Sequence, residues 1–272
     1  MIKRTVLLLS NMLERTFPHE ELIDDKFKVM KHLGMGSYGH SYLVMDLITQ
    51  QTKVLKALRI HKRTTKSGRK GFELEKEILK SINHPGFPQY FEDGIYKRIP
   101  FYTMEYIDGK NFEQLIFSEG WTISEHGAFK IAVELLDLIE YLHSRDIIHR
   151  DIRIPNVIFD GTRVRLIDLG LGRYLQQGRE GRHMSKGLDF RKGIQYQTDF
   201  FGLGHFLLFL LYSNSTFKNH EKEKSWEEEL TISSGAKHII RRLLQIESAY
   251  EDCSQIREDI EKLVRGRIDV IF

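Results

Sequence analysis

The stretch HRDIRIPNVIFDGTRVRLIDLG, His149 to Gly170, sets an acid, an amide and a second acid around two short apolar runs. The runs read as strands, and Asp160–Gly161 between them is a hairpin turn signal, since both residue types suit tight turns. Asn156 and Asp168 then stand at the outer ends of the hairpin. In an antiparallel pair those ends meet, so Asp151, Asn156 and Asp168 are expected to converge on one site. A second arginine, Arg153, lies inside the same span.

Upstream, from Phe27 to Ile60, short runs rich in Val, Leu and Tyr alternate with Gly and polar turns, the pattern of an antiparallel sheet with hairpins. FELEKEILKSI, Phe72 to Ile82, has apolar residues near helical spacing and is stopped by NHPGFP. IPFYTMEYIDG, Ile99 to Gly109, reads as a further strand running into a turn. From about Asn111 onward the chain is mainly helical. The organisation expected is a sheet-rich first part followed by a mainly helical one.

Composition narrows the function classes. A chain of 272 residues, 41% hydrophobic and 29% charged, can bury a large core, which excludes a disordered protein. A net charge of +3 is small beside 41 basic and 38 acidic side chains, so it does not by itself point to nucleic acid. Cys253 is the sole cysteine, which excludes an intrachain disulfide and a Cys-based zinc site and suits a reducing compartment, the cytoplasm. FFGLGHFLLFLLY, Phe200 to Tyr212, falls short of the roughly 20 residues that cross a bilayer and reads as a buried core helix. In MIKRTVLLLS the apolar run Val6 to Leu9 is too short for a signal peptide and begins a strand or helix. No membrane association is expected. The basic run RIHKRTTKSGRK, Arg59 to Lys70, reads as a solvated connecting loop, with an acidic partner or nucleic acid as its sharper alternative.

Gly34, Gly36 and Gly39 form G-x-G-x-x-G, a weak signal alone, because a dinucleotide-binding fold uses the same glycines and a plain hairpin turn can too. Here the third glycine is followed by the alternating HSYLVMDL, so the loop joins two strands rather than opening a helix. Such a loop can fold over a triphosphate and offer it backbone N–H groups. Lys56, in KVLKAL, should point to the same side and bridge phosphates. A carboxylate must fix its direction: Glu75 is favoured, with Glu73 and Glu77 as rivals that spacing cannot separate.

Taken in order, GMGSYG, VLKAL, HRDIRIPN and DLG resemble the motif set of eukaryotic-type (Hanks-type) protein kinases, from about Phe27 to Leu263. The resemblance implies an α+β, two-lobed fold: after an N-terminal extension over 1–26, a small antiparallel N-lobe over 27–107 and a helical C-lobe over 108–272. It implies ATP and Mg2+, with Asp151 orienting and accepting the proton of the attacking hydroxyl and Asn156 and Asp168 as metal ligands. Lys56 and Glu75 would hold the phosphates, with Arg153 standing where serine/threonine members usually carry a lysine that meets the γ-phosphate. The nucleotide would lie against Gly34, Met35, Gly36, Ser37, Tyr38, Gly39, Val54, Met104, Glu105, Ile107 and Ile158, with Met104 as gatekeeper. His149 would support the catalytic loop, and Asp199 would hold it from the central helix.

The sequence also departs from the pattern. Ser41 stands where an apolar valine is usual, and LGLGRYLQQGREGRHMSKGLDFRKGIQYQT contains no A-P-E motif. The tail RRLLQIESAYEDCSQIRE shows no evident partner arginine for it, so a trimmed C-lobe is expected. Arg150 beside Asp151 suits control by a phosphorylated segment, where Tyr174, Ser185, Tyr196 and Thr198 are the few hydroxyls. Serine/threonine protein phosphorylation, with autophosphorylation, is the leading expectation. A pseudokinase scaffold is the alternative raised by Arg153, Ser41 and the missing A-P-E. A small-molecule kinase is the other, although its known members tend to lack this glycine loop and the H-R-D arginine.

Overall fold

Six strands in the order β1-β2-β3-β4-β6-β5 make an antiparallel sheet at the N-terminal end of the chain, whose structure is a computed structural model describing residues 16–175, 194–214 and 224–265. The Val6–Leu9 run and Ser185 lie outside the described residues. The chain forms two compact units, one of residues 1–108 with Leu169–Leu171 and one of Gly109–Asp168 with Gly172–Phe272.

In the first unit, β1 (Leu22–Ile23) pairs with β2 (Phe27–Met35), β2 with β3 (Gly39–Asp46), and β3 with β4 (Gln51–Leu58). β4 pairs in turn with β6 (Ile99–Glu105), and β6 with β5 (Tyr90–Tyr96). Alternation buries Phe27, Val29, Tyr42 and Val44 on one face, where they join Phe17, Ile23, Leu55, Ala57 and Phe101 in the core. Residues before Phe27 therefore contribute to this core through Phe17 and Ile23. At the β3–β4 hairpin, Lys53 donates to Asp46 at 2.6 Å, and both side chains are buried.

The basic run is not a loop. It forms α1 (Ile60–Arg63) and the first turns of α2 (Lys66–Ser81), with Thr65 as N-cap accepting from Gly68 N at 3.1 Å. The buried stripe of α2 runs Gly68, Gly71, Phe72, Glu75, Ile78, Leu79, a helical repeat whose first two members are glycines. Glycines carry no hydrophobic signal, so the helix starts earlier than its apolar residues suggest.

The second unit contains β7 (Lys110–Asn111), α3 (Phe112–Phe117), α4 (Glu125–His143), β8 (Ile147–Ile148), β9 (Val157–Phe159), β10 (Val164–Leu166) and β11 (Arg173–Tyr174). It continues with α5 (Gln197–Tyr212), α6 (Trp226–Glu229), α7 (Ser234–Leu243) and α8 (Cys253–Arg265). Asn111 and Gln114 close a capping box on α3, and Ser124 caps α4. α5 is apolar on almost every side, with Phe200, Leu203, Phe206, Leu207, Leu210 and Leu211 buried, as a central helix must be. Among the described residues no helix is long and apolar enough to cross a membrane.

Candidate active site

The glycine loop is the hairpin between β2 and β3, closed by Gly36 N donating to Gly39 O at 2.8 Å. Its three glycines meet different surroundings. Gly34 has φ +155° with nothing within 4 Å of an added Cβ, whereas a Cβ on Gly39 would stand 2.7 Å from Ala57 O. A Cβ on Gly36 would stand 3.8 Å from Lys56 Cε and Nζ. The space beside the lysine ammonium is therefore kept clear, as a phosphate cradle requires.

Lys56 lies in β4 opposite Ser41, and its ammonium donates to Glu75 of α2 in a pair whose side chains are 4% and 3% exposed. Glu75 is thus the helix carboxylate that meets Lys56, while Glu73 pairs with Lys76. The burial repeat of α2 gives the reason: position 75 follows Gly68, Gly71 and Phe72 on the inward stripe, and position 73 does not. Val54 and Ile107 are buried, and Met104 and Glu105 are half-buried at the end of β6. Glu105 N donates to Gln89 O at 2.8 Å.

In the second unit, β9 and β10 pair Phe159 with Val164 across a four-residue connection, wider than a two-residue turn, in which Asp160 Oδ1 accepts from Thr162 N and Arg163 N. Ile167 N donates to Asn156 O at 2.9 Å, so the pairing reaches the hairpin's outer ends and brings Asn156 beside the residue before Asp168. Asn156 Nδ2 donates to both Asp151 O and Asp151 Oδ2, each at 2.9 Å. Both acceptors are oxygens, which fixes the amide orientation and turns Asn156 Oδ1 away from them. No hydrogen bond to that Oδ1 occurs among the described residues, which leaves it a hard oxygen of the kind that could hold a magnesium ion. Arg153 is 61% exposed and holds Asp151 Oδ1 through Nε at 3.2 Å.

The loop from His149 to Asn156 is held by Asp199. Asp199, fully buried in the first turn of α5, accepts from His149 N at 2.9 Å and Arg150 N at 2.7 Å, and meets His143 Nε2 at 2.9 Å. These bonds hold Arg150 at φ +65°, while Asp168 sits at φ +63°, a conformation side-chain-bearing residues seldom adopt. His149 Nδ1 accepts from Asp151 N at 3.2 Å and Nε2 faces Ile167 O at 3.1 Å, which sets the ring's tautomer and links the loop to the strand before Asp168. Gly202 is a contributor that sequence reading missed: a Cβ there would lie 2.6 Å from Ile152 Cβ and 2.7 Å from Ile152 O. In the sequence it carries no mark beyond its place in the apolar run Phe200 to Tyr212.

Two further features bear on control. Cys253 Sγ lies 3.8 Å from His143 Nδ1, and burial pushes its thiol up to about 12, so it is a packed thiol and not a nucleophile. Of the segment hydroxyls, Thr198 is buried and the Tyr196 hydroxyl donates to Asp146 Oδ1 at 3.2 Å, while Tyr174 lies in β11. The tail arginines have local partners: Arg242 pairs with Asp259, Arg241 with Glu227 and Glu247, and Arg257 with Asp137 and Glu140.

Comparison with known proteins identifies the family and the fold. The family model described as the protein kinase domain matches residues 27–270. The chain is 36% identical over 260 residues to the probable serine/threonine-protein kinase YbdM of Bacillus subtilis, covering 96% of this chain and 98% of that one. It is 24% identical to serine/threonine-protein kinase B of Synechocystis, over 88% of this chain and 47% of the relative. Among solved structures, the PknI kinase domain of Mycobacterium tuberculosis matches with a TM-score of 0.67 at 17% identity, covering 91% of this chain and 99% of that chain. The α+β fold is the protein-kinase fold, and the chain belongs to the protein kinase domain family.

Proposed function

We propose that this protein kinase transfers the γ-phosphate of ATP to serine or threonine hydroxyls of protein substrates. The observation that carries the reading is Asp151, whose carboxylate is oriented by Asn156 Nδ2 and whose charge is met by Arg153. Serine/threonine specificity is supported by the name of the 36% identical relative. Phosphoryl transfer asks a protein mainly to position groups and neutralise charge, and these residues divide that work.

Lys56, held by Glu75, would bind the nucleotide's phosphates under the loop formed by Gly34, Met35, Gly36, Ser37, Tyr38 and Gly39. Val54, Met104, Glu105, Ile107 and Ile158 would receive the base. Magnesium, held by Asn156 and Asp168, would neutralise phosphate charge. Asp151 orients the substrate hydroxyl and takes its proton at a carboxylate oxygen. Arg153 then exchanges that carboxylate for a phosphate oxygen, which a long, exposed guanidinium can do without breaking the loop. The division of contacts between Asp108 and Gly109 lies one residue from the proposed lobe boundary between 107 and 108 and supports it.

The helical face formed by the basic run is proposed to receive an acidic segment of a protein substrate, with nucleic acid as the competing ligand. Lys62, Arg63, Lys66, Arg69, Lys70 and Arg98 have no carboxylate within ion-pair distance among the described residues, which supports an anionic partner. The lone, buried cysteine supports a cytoplasmic location.

Labelled γ-phosphate transfer from Mg-ATP to the protein itself and to a generic basic protein tests the main reading, with Asp151→Asn alongside. Label on serine or threonine that vanishes in the variant is expected. Label on tyrosine would overturn the specificity, and equal label in the variant would remove Asp151 from the reaction.

A further inference from the structure

Tyr38 stands at the tip of the glycine loop, where a side chain is expected to face the nucleotide, but its ring packs on α2. Gly71, buried in mid-helix, leaves a notch there. A Cβ on Gly71 would overlap Tyr38 Cε1 and Cζ and lie 2.6 Å from the tyrosine hydroxyl, closer than real Cβ contacts come. The ring therefore fills the space that the missing side chain provides. Arg59 N donates to Tyr38 O at 3.0 Å, and Lys62 Nζ lies 5.3 Å from the ring centroid, within cation–π range. Glycine weakens a helix interior, so its presence there calls for a packing reason, and the ring supplies one.

Gly71 and Glu75 lie one helical turn apart on the same buried stripe of α2. Glu75 holds Lys56, and Lys56 Nζ borders the space above Gly36 in the same loop as Tyr38. Loop, ring, helix, carboxylate and lysine thus form a closed circuit inside the first unit. The phosphate-facing hairpin and the helix that orients the lysine are keyed together at a single point.

We propose that Tyr38 is a positioning residue, whose ring, seated in the Gly71 notch, couples the glycine loop to α2 and so to the Lys56–Glu75 pair. Displacing the ring uncouples the loop from the helix and weakens nucleotide binding while Asp151 and Asn156 stay as they are. The catalytic consequence rests on the kinase reading; the seating of the ring does not.

The test uses the full chain as wild type, Gly71→Ala, Tyr38→Ala, the double variant and Tyr38→Phe, each followed by thermal unfolding without nucleotide and by KM and kcat for Mg-ATP. Gly71→Ala alone is expected to lower Tm, because methyl and ring compete for one space. In the Tyr38→Ala background the same change is expected to raise Tm, since the notch is empty and alanine favours the helix. Tyr38→Ala should raise KM for ATP by about fivefold or more with a smaller change in kcat, and Tyr38→Phe should restore the wild-type KM. The same sign of Gly71→Ala in both backgrounds would overturn the seating. A sign reversal with unchanged KM would overturn the positioning role. Absence of phosphate transfer by the wild type would count against the kinase reading instead, and the thermal comparison would still decide the seating.

Discussion

Replacing Asp199 by Asn removes a single negative charge and changes no shape, yet it attacks the support of the catalytic loop. The carboxylate accepts from Arg150 N at one oxygen and from His149 N at the other, where His143 Nε2 also donates. An amide has one acceptor oxygen. If that oxygen keeps His149 N and His143, the new NH2 faces Arg150 N at the 2.7 Å now spanned by a hydrogen bond. A charge-assisted bond is worth about 1.5–3 kcal/mol, and a buried donor left unmet costs about 1–3 kcal/mol, terms that overlap, so about 3 kcal/mol is expected. That is on the order of a hundredfold in the folded-to-unfolded ratio. The chain's two tryptophans, Trp121 and Trp226, both lie in the second unit, so tryptophan fluorescence in urea reports the unfolding of the unit that carries Asp199. With a slope of about 2 kcal/mol per molar, the midpoint should fall by about 1.5 M. Arg150, released from φ +65°, should relax, and kcat should drop with KM for ATP little changed. A midpoint shift below about 0.3 M at unchanged slope would refute the claim that these bonds hold the loop.

Four other outcomes follow from the same geometry. Arg153→Ala should lower kcat about a hundredfold, as loss of one charged donor does, and Arg153→Lys by about tenfold or less; equal rates in all three proteins would remove Arg153 from the site. Lys56→Met should abolish transfer and also lower stability by about 3–5 kcal/mol, because Glu75 loses its buried ammonium partner; adding Glu75→Gln should recover stability but not transfer, and an unchanged Tm in the single variant would contradict this. Cys253, its thiol pushed up to about 12, should react with iodoacetamide at pH 8 at least about a hundredfold more slowly folded than in urea, as followed by mass spectrometry; comparable rates would mean that the site opens readily. Burial raises Asp46, but hydrogen bonds from Lys53 and from the Thr49 and Ile48 N–H groups outweigh it and bring its carboxyl from 3.8 to about 2. A depressed folded value stabilises above the unfolded one, so the Tm advantage of wild type over Asp46→Asn should shrink as pH falls from 3.8 towards 2; a constant gap would exclude the linkage.

The kinase fold was legible because its chemistry needs polar residues at spacings that packing alone would not produce. HRDIRIPN and DLG fixed a hairpin whose outer ends had to meet, and the bond between Ile167 and Asn156 shows them meeting. Glu75 could be favoured but not separated from Glu73 and Glu77, because the inward face of α2 opens on two glycines that leave no apolar mark. The same silence hid the true start of that helix and made Arg59–Lys70 look like a loop. Gly202 and the direction of the Tyr38 ring were illegible for a related reason: each depends on what a glycine leaves vacant against a distant segment, and sequence records no vacancy. Asp199 was legible in role through resemblance. The tilt it imposes on Arg150 was not.

The three glycines of the loop would give three unlike tolerance profiles under saturation mutagenesis. Position 34 has open space but a φ of +155°, so every L-residue there meets a similar conformational penalty whatever its size. Position 39 is closed by Ala57 O and Lys56 Cγ, so even alanine there must part β3 from β4, and its variants should be lost from an abundance screen before activity is measured. Position 36 lies between these extremes. Its nearest neighbours stand 3.8 Å from a Cβ, so alanine there should express and fold like wild type, yet compete with a phosphate for the space beside Lys56. One motif of identical letters therefore encodes a backbone requirement, a ligand requirement and a strand-packing requirement, and an assay that reads abundance and turnover in parallel would tell them apart.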